Sequence, residues 1–198
     1  PGRSRVKRVE VVPPNPDWPQ QFAQAAQEIA AALGDRVVQI HHIGSTSIPG
    51  IYAKPVIDLL VEVDDINAVD AHNESLAAIG YEAMGEFGIP GRRYFRRDNA
   101  AGFRTHNAHT FATASPEIAR HLTFRDYMIA HPDHAQTYSE LKQKLAAQFP
   151  TDIEGYMDGK DSFIKAMDQQ AAIWQRSHDS ASKPDSFNAT NTSQFDSK

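Results

Sequence analysis

The segment Pro55–Val63, PVIDLLVEV, constrains the chain more than any other. It is a nearly continuous apolar run. That is the pattern of a strand buried on both faces, which arises where helices cover both sides of a sheet. Asp58 interrupts the run. A buried carboxylate without a partner is costly. Asp58 therefore either pairs with an arginine or caps a turn, or it holds a divalent cation such as Mg²⁺, which favours carboxylate oxygens together with substrate phosphates.

The flanking sequence supplies the other layers. Glu10–Val12 reads as a short strand, ended by Pro13 and Pro14. Asp17 is placed to cap a helix whose body, Gln20–Leu33, repeats Phe22, Ile29 and Leu33 at helical spacing and stops at Gly34. Arg36–Ile43 is β-branched and reads as a strand. Asp64–Gly80 reads as one helix and Tyr81–Phe87 as a third strand. Arg93–Arg97 and Phe103–Ala112 form a hairpin around Asp98–Gly102. Ser115 and Pro116 open a helical region running to Gln175, which Pro132 and Pro150 divide into three helices. The fold class expected is α+β (α/β-like): a mixed β-sheet with flanking helices and a C-terminal helical cap. Residues 1–8 read as a flexible basic arm, 9–175 as one domain, and 176–198 as a disordered polar tail.

Composition narrows the chemistry. The 198 residues carry 20 Lys and Arg against 25 Asp and Glu, a net charge of -5, so no global nucleic-acid-binding charge exists. Cysteine is absent, which excludes disulfides, thiolate metal sites and a cysteine nucleophile. No apolar run approaches a membrane span or a secretory leader. A cytoplasmic protein without a membrane partner is the expectation, and no oligomeric state is read from the sequence.

Gly44 and Ser45 follow a strand directly. Glycine permits close backbone approach, serine offers a hydroxyl, and successive N–H groups in such a turn can cradle an anion. A Gly-Ser turn followed some ten residues later by a strand aspartate resembles the nucleotidyltransferase superfamily, in which the turn holds phosphates and two carboxylates, one residue apart, hold metals. Here Asp58 matches the second carboxylate, and Val56 stands at the first. The stretch His42–Val63, HIGSTSIPGIYAKPVIDLLVEV, resembles the GrpB family, a branch with this fold. Trp18–Pro19, Arg104–Thr105–His106 with His109, Phe124–Arg125–Asp126–Tyr127, Tyr138 with Leu141–Lys142, and Tyr156 with Lys160 and Phe163–Ile164 extend the likeness across roughly residues 9–175. The resemblance implies a nucleotidyltransferase-like mixed sheet with a central cleft. It also implies a link to dephospho-coenzyme A kinases, to which such domains are fused, and to fungal synthases that take arginine from arginyl-tRNA into cyclic dipeptides.

The candidate catalytic residues are Asp58, Ser45, His106 and His109. The candidate phosphate ligands are Gly44, Ser45, Thr46, Lys54, Arg93, Arg104 and Lys160. Arginine suits them because its guanidinium binds phosphate in bidentate fashion. Strand alternation places Arg104 and His106 on one face and His109 on the other, unless a bulge intervenes. His42, His106 and His109 together could supply a three-histidine metal site, or one histidine could act as a general base. Arg92, Arg93, Arg96 and Arg97 are equally well explained as a solvated edge that blocks aggregation, and Lys54 as a surface lysine. The expected function is a nucleotidyltransferase-like transferase acting on a nucleotide or other anionic small molecule. The alternatives are a tRNA-dependent acyl transferase and a non-catalytic nucleotide- or anion-binding domain.

Overall fold

A computed structural model describes residues 7–181. Helix α1 (Trp18–Leu33) follows the proline-rich start. Asp17 sits at its N-cap, but its side chain makes no capping bond, because its backbone is already helical, at φ -85° and ψ -10°, rather than extended as a capping side chain requires. Gly34 ends the helix at φ 58°, a conformation open to glycine, and its N–H bonds to Ala30 O. Strands β1 (Val37–Ile43) and β2 (Ile57–Val63) pair antiparallel.

The segment expected as one helix over 64–80 divides instead. Asn67–His72 is a 3₁₀ turn, and only Asn73–Ala78 is α-helical, as α2. The third strand shrinks to β3 (Glu82–Ala83). Three glycines at positive φ, Gly80, Gly85 and Gly88, punctuate the region and prevent longer elements. The hairpin is present as β4 (Arg93–Asp98) and β5 (Arg104–Ala112). Three helices complete the fold: α3 (Pro116–Ala130), α4 (Pro132–Gln148) and α5 (Ile153–Ala181). Ser115 caps α3 by accepting the Glu117 N–H at 3.3 Å. Residues 176–181, expected in a disordered tail, belong to α5. The rest of that tail and residues 1–6 of the expected arm lie outside the described residues. Val12, expected in a strand, makes only an isolated bridge to Ala53.

The sheet order is β1-β2-β5-β4-β3, with β2 and β5 parallel and every other pair antiparallel. The architecture is therefore the expected α+β mixed sheet with flanking helices. The apolar run lies beside β5 at the sheet's centre. Ile57, Leu59, Val61 and Val63 pack on α1 and α2 with Trp18, Ile29, Leu33 and Leu76. Leu60 points the other way, onto Ile43, Phe111 and Ile118 of α3. Helices α3, α4 and α5 share a further core of Tyr127, Met128, Tyr138 and Met167, into which Ile48 and Ile51 of the β1–β2 connection insert. That connection is thereby clamped between the sheet and the helical cap.

Leu59 and Leu60 are fully buried on opposite faces. Leu59→Ala and Leu60→Ala are each expected to lower stability by roughly 2–5 kcal/mol, measured by chemical denaturation. A loss of less than about 1 kcal/mol for either would contradict a strand covered on both sides.

Candidate functional site

Asp58 lies on the α3 side of β2, beside Asn107 of β5. Asn107 Nδ2 donates to Asp58 Oδ1 at 3.1 Å, and His109 Nε2 lies 3.5 Å from the same oxygen. Arg92 Nη1 approaches His109 Nδ1 at 3.3 Å. A guanidinium can only donate, so Nδ1 accepts and the ring proton sits on Nε2, facing Asp58. Arg92 is itself fixed by the carbonyls of Glu86 and Phe87, and the Tyr94 ring stacks on His109 at 5.4 Å. On the other side, Asn107 Oδ1 accepts from Tyr94 Oη at 2.6 Å and Arg104 Nη1 at 3.3 Å. A polar row thus runs from Arg104 through Asn107, Asp58 and His109 to Arg92.

Burial pushes the Asp58 carboxyl up. The His109 hydrogen bond, the Asn107 amide and the Lys54 ammonium outweigh that effect and hold it below the usual carboxylate range. Asp58 is therefore ionised at neutral pH, with its side chain 26% exposed. Gly44 closes over it at φ 74°, and any side chain there would collide with Asp58 Oδ2. The Gly-Ser turn and the strand aspartate thus make one unit.

Lysines complete the site. Lys54 and Lys160 place their Nζ atoms over the Tyr156 ring, 5.6 and 4.7 Å from its centre. Burial, then the Lys54 charge, lowers Lys160 to about 8, despite the opposing pull of Asp58. Lys142 is buried over the Tyr138 ring at 4.4 Å and is pushed down to about 7 by burial, then by Lys160. Ser45 Oγ lies 3.5 Å from Tyr138 Oη. A cavity of about 720 Å³ opens beside Lys54. Its walls include Lys7, Arg8, Glu10, Lys54, Arg104 and Asn107.

The structure thus gathers Gly44, Ser45, Lys54, Asp58, Arg104, His109 and Lys160, and disperses the other candidates. His106 faces the α1 side, where Arg97 contacts its ring at 3.2 Å and burial lowers it to about 4. Strand alternation paired Arg104 with His106, and the pairing fails. The ladder matches Arg97 with His106 but Asp98 with Arg104, so Thr105 is an extra residue, and this bulge turns Arg104 onto the Asp58 side. His42 also lies on the α1 side. It stacks on Phe22 at 4.7 Å, bonds Thr46 Oγ1 at 2.9 Å, and is lowered to about 4 by burial. Thr46 is correspondingly spent on His42 and on Val56 O at 3.4 Å, and braces the turn rather than facing the cleft. Arg93 is bound to Asp70, with Nε–Oδ1 at 2.7 Å, on the far side of the sheet. The remaining hairpin arginines likewise find acids distant in sequence: Arg96 pairs with Glu82 and Arg97 with Glu28.

Asn107, Arg92, Lys142 and Tyr156 are site residues that the sequence reading left unassigned. A lysine at the buried spacing Tyr138, Lys142, Leu145 was the available signal for Lys142.

A two-metal centre does not fit these residues. Val56 occupies the position of the first carboxylate, and both hydrogen bonds on Asp58 fall on Oδ1 while Gly44 abuts Oδ2. No group of three or more His, Asp or Glu side chains that could hold a metal ion occurs among the described residues, so the three-histidine alternative is not assembled either.

Comparison with known proteins follows the same outline. The family described as "GrpB protein" matches residues 8–170. The UPF0157 protein YqkA of Bacillus subtilis strain 168 is 43% identical over 175 residues, covering 88% of this chain and 50% of that protein. The UPF0157 protein PA4798 of Pseudomonas aeruginosa is 38% identical over 159 residues, covering 79% and 65%. This chain therefore spans half to two thirds of the length of these relatives. The crystal structure of the conserved protein GrpB from Enterococcus faecalis superposes with a TM-score of 0.79 at 42% identity, covering 83% of this chain and 99% of that one.

Lys142 gives a stability test with a defined sign. Below about pH 7 the folded state carries the full cost of its buried charge. Between that pH and the ordinary lysine value of 10.5 only the unfolded chain holds the proton, so stability rises with pH across that window. Lys142→Met is therefore expected to stabilise the protein at pH 6 by about 1–2 kcal/mol, roughly 3–6 °C in Tm, with the gain shrinking toward pH 10. A loss of stability at pH 6 would show that an unidentified partner balances the ammonium.

Proposed function

The chain belongs to the GrpB family, and from its cationic cleft we propose that it is a nucleotidyltransferase-like transferase acting on a phosphate-bearing, nucleotide-sized substrate. The observation that carries this reading is the gathering of cations around Asp58: Lys54 and Arg104 line the cavity, Asn107 links Arg104 to the Asp58 carboxylate, and Lys54 and Lys160 share the Tyr156 ring. Such an excess of partly desolvated positive charge suits a polyanion, and a cavity of about 720 Å³ has the size of a small-molecule site.

In this reading Asp58 accepts a proton. An acceptor hydroxyl attacks the electrophilic centre of the substrate, and the bond to the leaving phosphate breaks. The bond's electron pair departs with that phosphate, whose charge Lys54 and Arg104 neutralise. The hydroxyl proton passes to Asp58 and then to solvent. His109, locked by Arg92 with its Nε2 proton toward Asp58, and Asn107 position the carboxylate. Ser45 donates to a non-bridging oxygen. Each element matches a group the geometry supports, and no step calls for a metal.

A second reading draws on Lys7 and Arg8, which line the same cavity. With these at its mouth, the cleft suits the acceptor end of an aminoacyl-tRNA, whose ester is already activated and requires no cation. Binding of tRNA that weakens steeply between 50 and 200 mM salt supports it; nucleotide turnover without RNA favours the first.

Asp58→Asn is expected to lower kcat by roughly 10²–10⁴ in protein that thermal melts show to be folded, once a nucleotide panel has identified a substrate. Because the cleft needs Lys160 protonated, kcat/KM is expected to fall above about pH 8. Full activity in Asp58→Asn would remove the carboxylate from the mechanism.

A further inference from the structure

Beside the groups that the transferase reading uses, the helical cap carries Lys142, a buried cation with no role in it. Lys142 Nζ is buried and has no hydrogen-bond partner among the described residues, and Tyr156 Oη is in the same condition. Lys142 is 1% exposed and Lys160 7%. The three lysines form one cluster: Lys54 and Lys160 share the Tyr156 ring, at 5.6 and 4.7 Å from its centre, and Lys142, over the Tyr138 ring at 4.4 Å, is close enough to Lys160 to feel its charge. The Asp58 carboxylate is already engaged by Asn107 and His109. The rings of Tyr138 and Tyr156 contact the three cations but supply no full negative charge.

Like charges buried together without counterions oppose folding, and lysines of this kind are retained where a ligand balances them. The ligand must be an anion of more than one charge, since a single carboxylate or monoanion leaves most of the array unpaired. It must also bring little countercharge of its own. The carboxylate set for Mg²⁺ does not fit here, so the lysines are the countercharge available to a polyphosphate.

We propose that Lys54, Lys160 and Lys142 form a metal-independent subsite for a diphosphate or longer phosphate chain, with Lys142 at its inner end and Tyr156 Oη donating to a phosphate oxygen. This rests on the phosphate-bearing substrate proposed above and extends it. The substrate is bound through at least two phosphoryl groups, in its magnesium-free form. Lys54 links the subsite to the Asp58 floor.

The test is calorimetric titration of the full chain with sodium pyrophosphate in EDTA, repeated with excess Mg²⁺ and with orthophosphate. Saturable binding in EDTA is expected, at least tenfold tighter than orthophosphate and weakened by Mg²⁺. Lys142→Met and Lys160→Gln are each expected to lower the affinity at least tenfold, with thermal melts confirming that both variants fold. Binding that appears only with Mg²⁺, orthophosphate binding as tightly as pyrophosphate, or unchanged affinity in both folded variants would each overturn the proposal. The two readings fail separately. Nucleotide turnover that requires Mg²⁺ refutes the subsite and leaves the transferase, whereas tight metal-free pyrophosphate binding without any turnover refutes the transferase alone.

Discussion

The attraction between one desolvated carboxylate and the cations around it sets the terms for the rest of this structure. Asp58 cannot sit at the head of a buried strand unless its charge is met, and three kinds of group meet it: the Asn107 amide, the His109 ring proton and the Lys54 ammonium. Each fixes another piece of the fold. Asn107 and His109 require β5 to lie parallel to β2 in the observed register. Lys54 requires the β1–β2 connection to return over the strand. Gly44 must lack a side chain for the turn to close on the carboxylate. Ile48 and Ile51 then pin that connection to the helical cap, which brings Lys160 and Lys142 to the same side.

The balance is lopsided. One carboxylate offsets part of the charge of three lysines and Arg104, and the surplus is positive. Arg104 is partly quenched by Asp98 at 2.6 Å, and Arg92 is absorbed by backbone carbonyls and His109. The lysines lack comparable partners and lean on tyrosine rings, an interaction worth about 0.5–2 kcal/mol that leaves their charge available. Burial first, and neighbouring cations after it, lower their proton affinities, and an arriving anion would relieve both.

Much of this was legible in the sequence because it is local. The apolar run with its aspartate, the Gly44–Ser45 turn and Lys54 lie within 20 residues, and their patterns point to a strand, a turn and a cationic rim before any tertiary information. What the sequence concealed depended on register and on distance. Regular alternation paired Arg104 with His106, and one extra residue, Thr105, reversed that choice. Arg93, Arg96 and Arg97 read as a free basic cluster, because Asp70, Glu82 and Glu28 are remote in the chain. His42 shares a motif with Gly44 yet points through the sheet onto Phe22. Helical periodicity marks position 142 as buried without saying why a lysine should be there. The glycine-rich stretch from Gly80 to Gly91 hid the brevity of β3, since strand propensity does not register repeated left-handed turns.

The central claim is that this cleft holds a phosphate-bearing anion by its lysines. Native mass spectrometry of the protein, purified in chelator, tests it most directly. The expected result is a mass shift from a retained phosphorus-containing ligand, or from an added nucleoside polyphosphate, that disappears in the Lys54→Ala/Lys160→Ala protein. An adduct of equal occupancy in that double variant, or no adduct with any polyphosphate at millimolar concentration, would contradict the account.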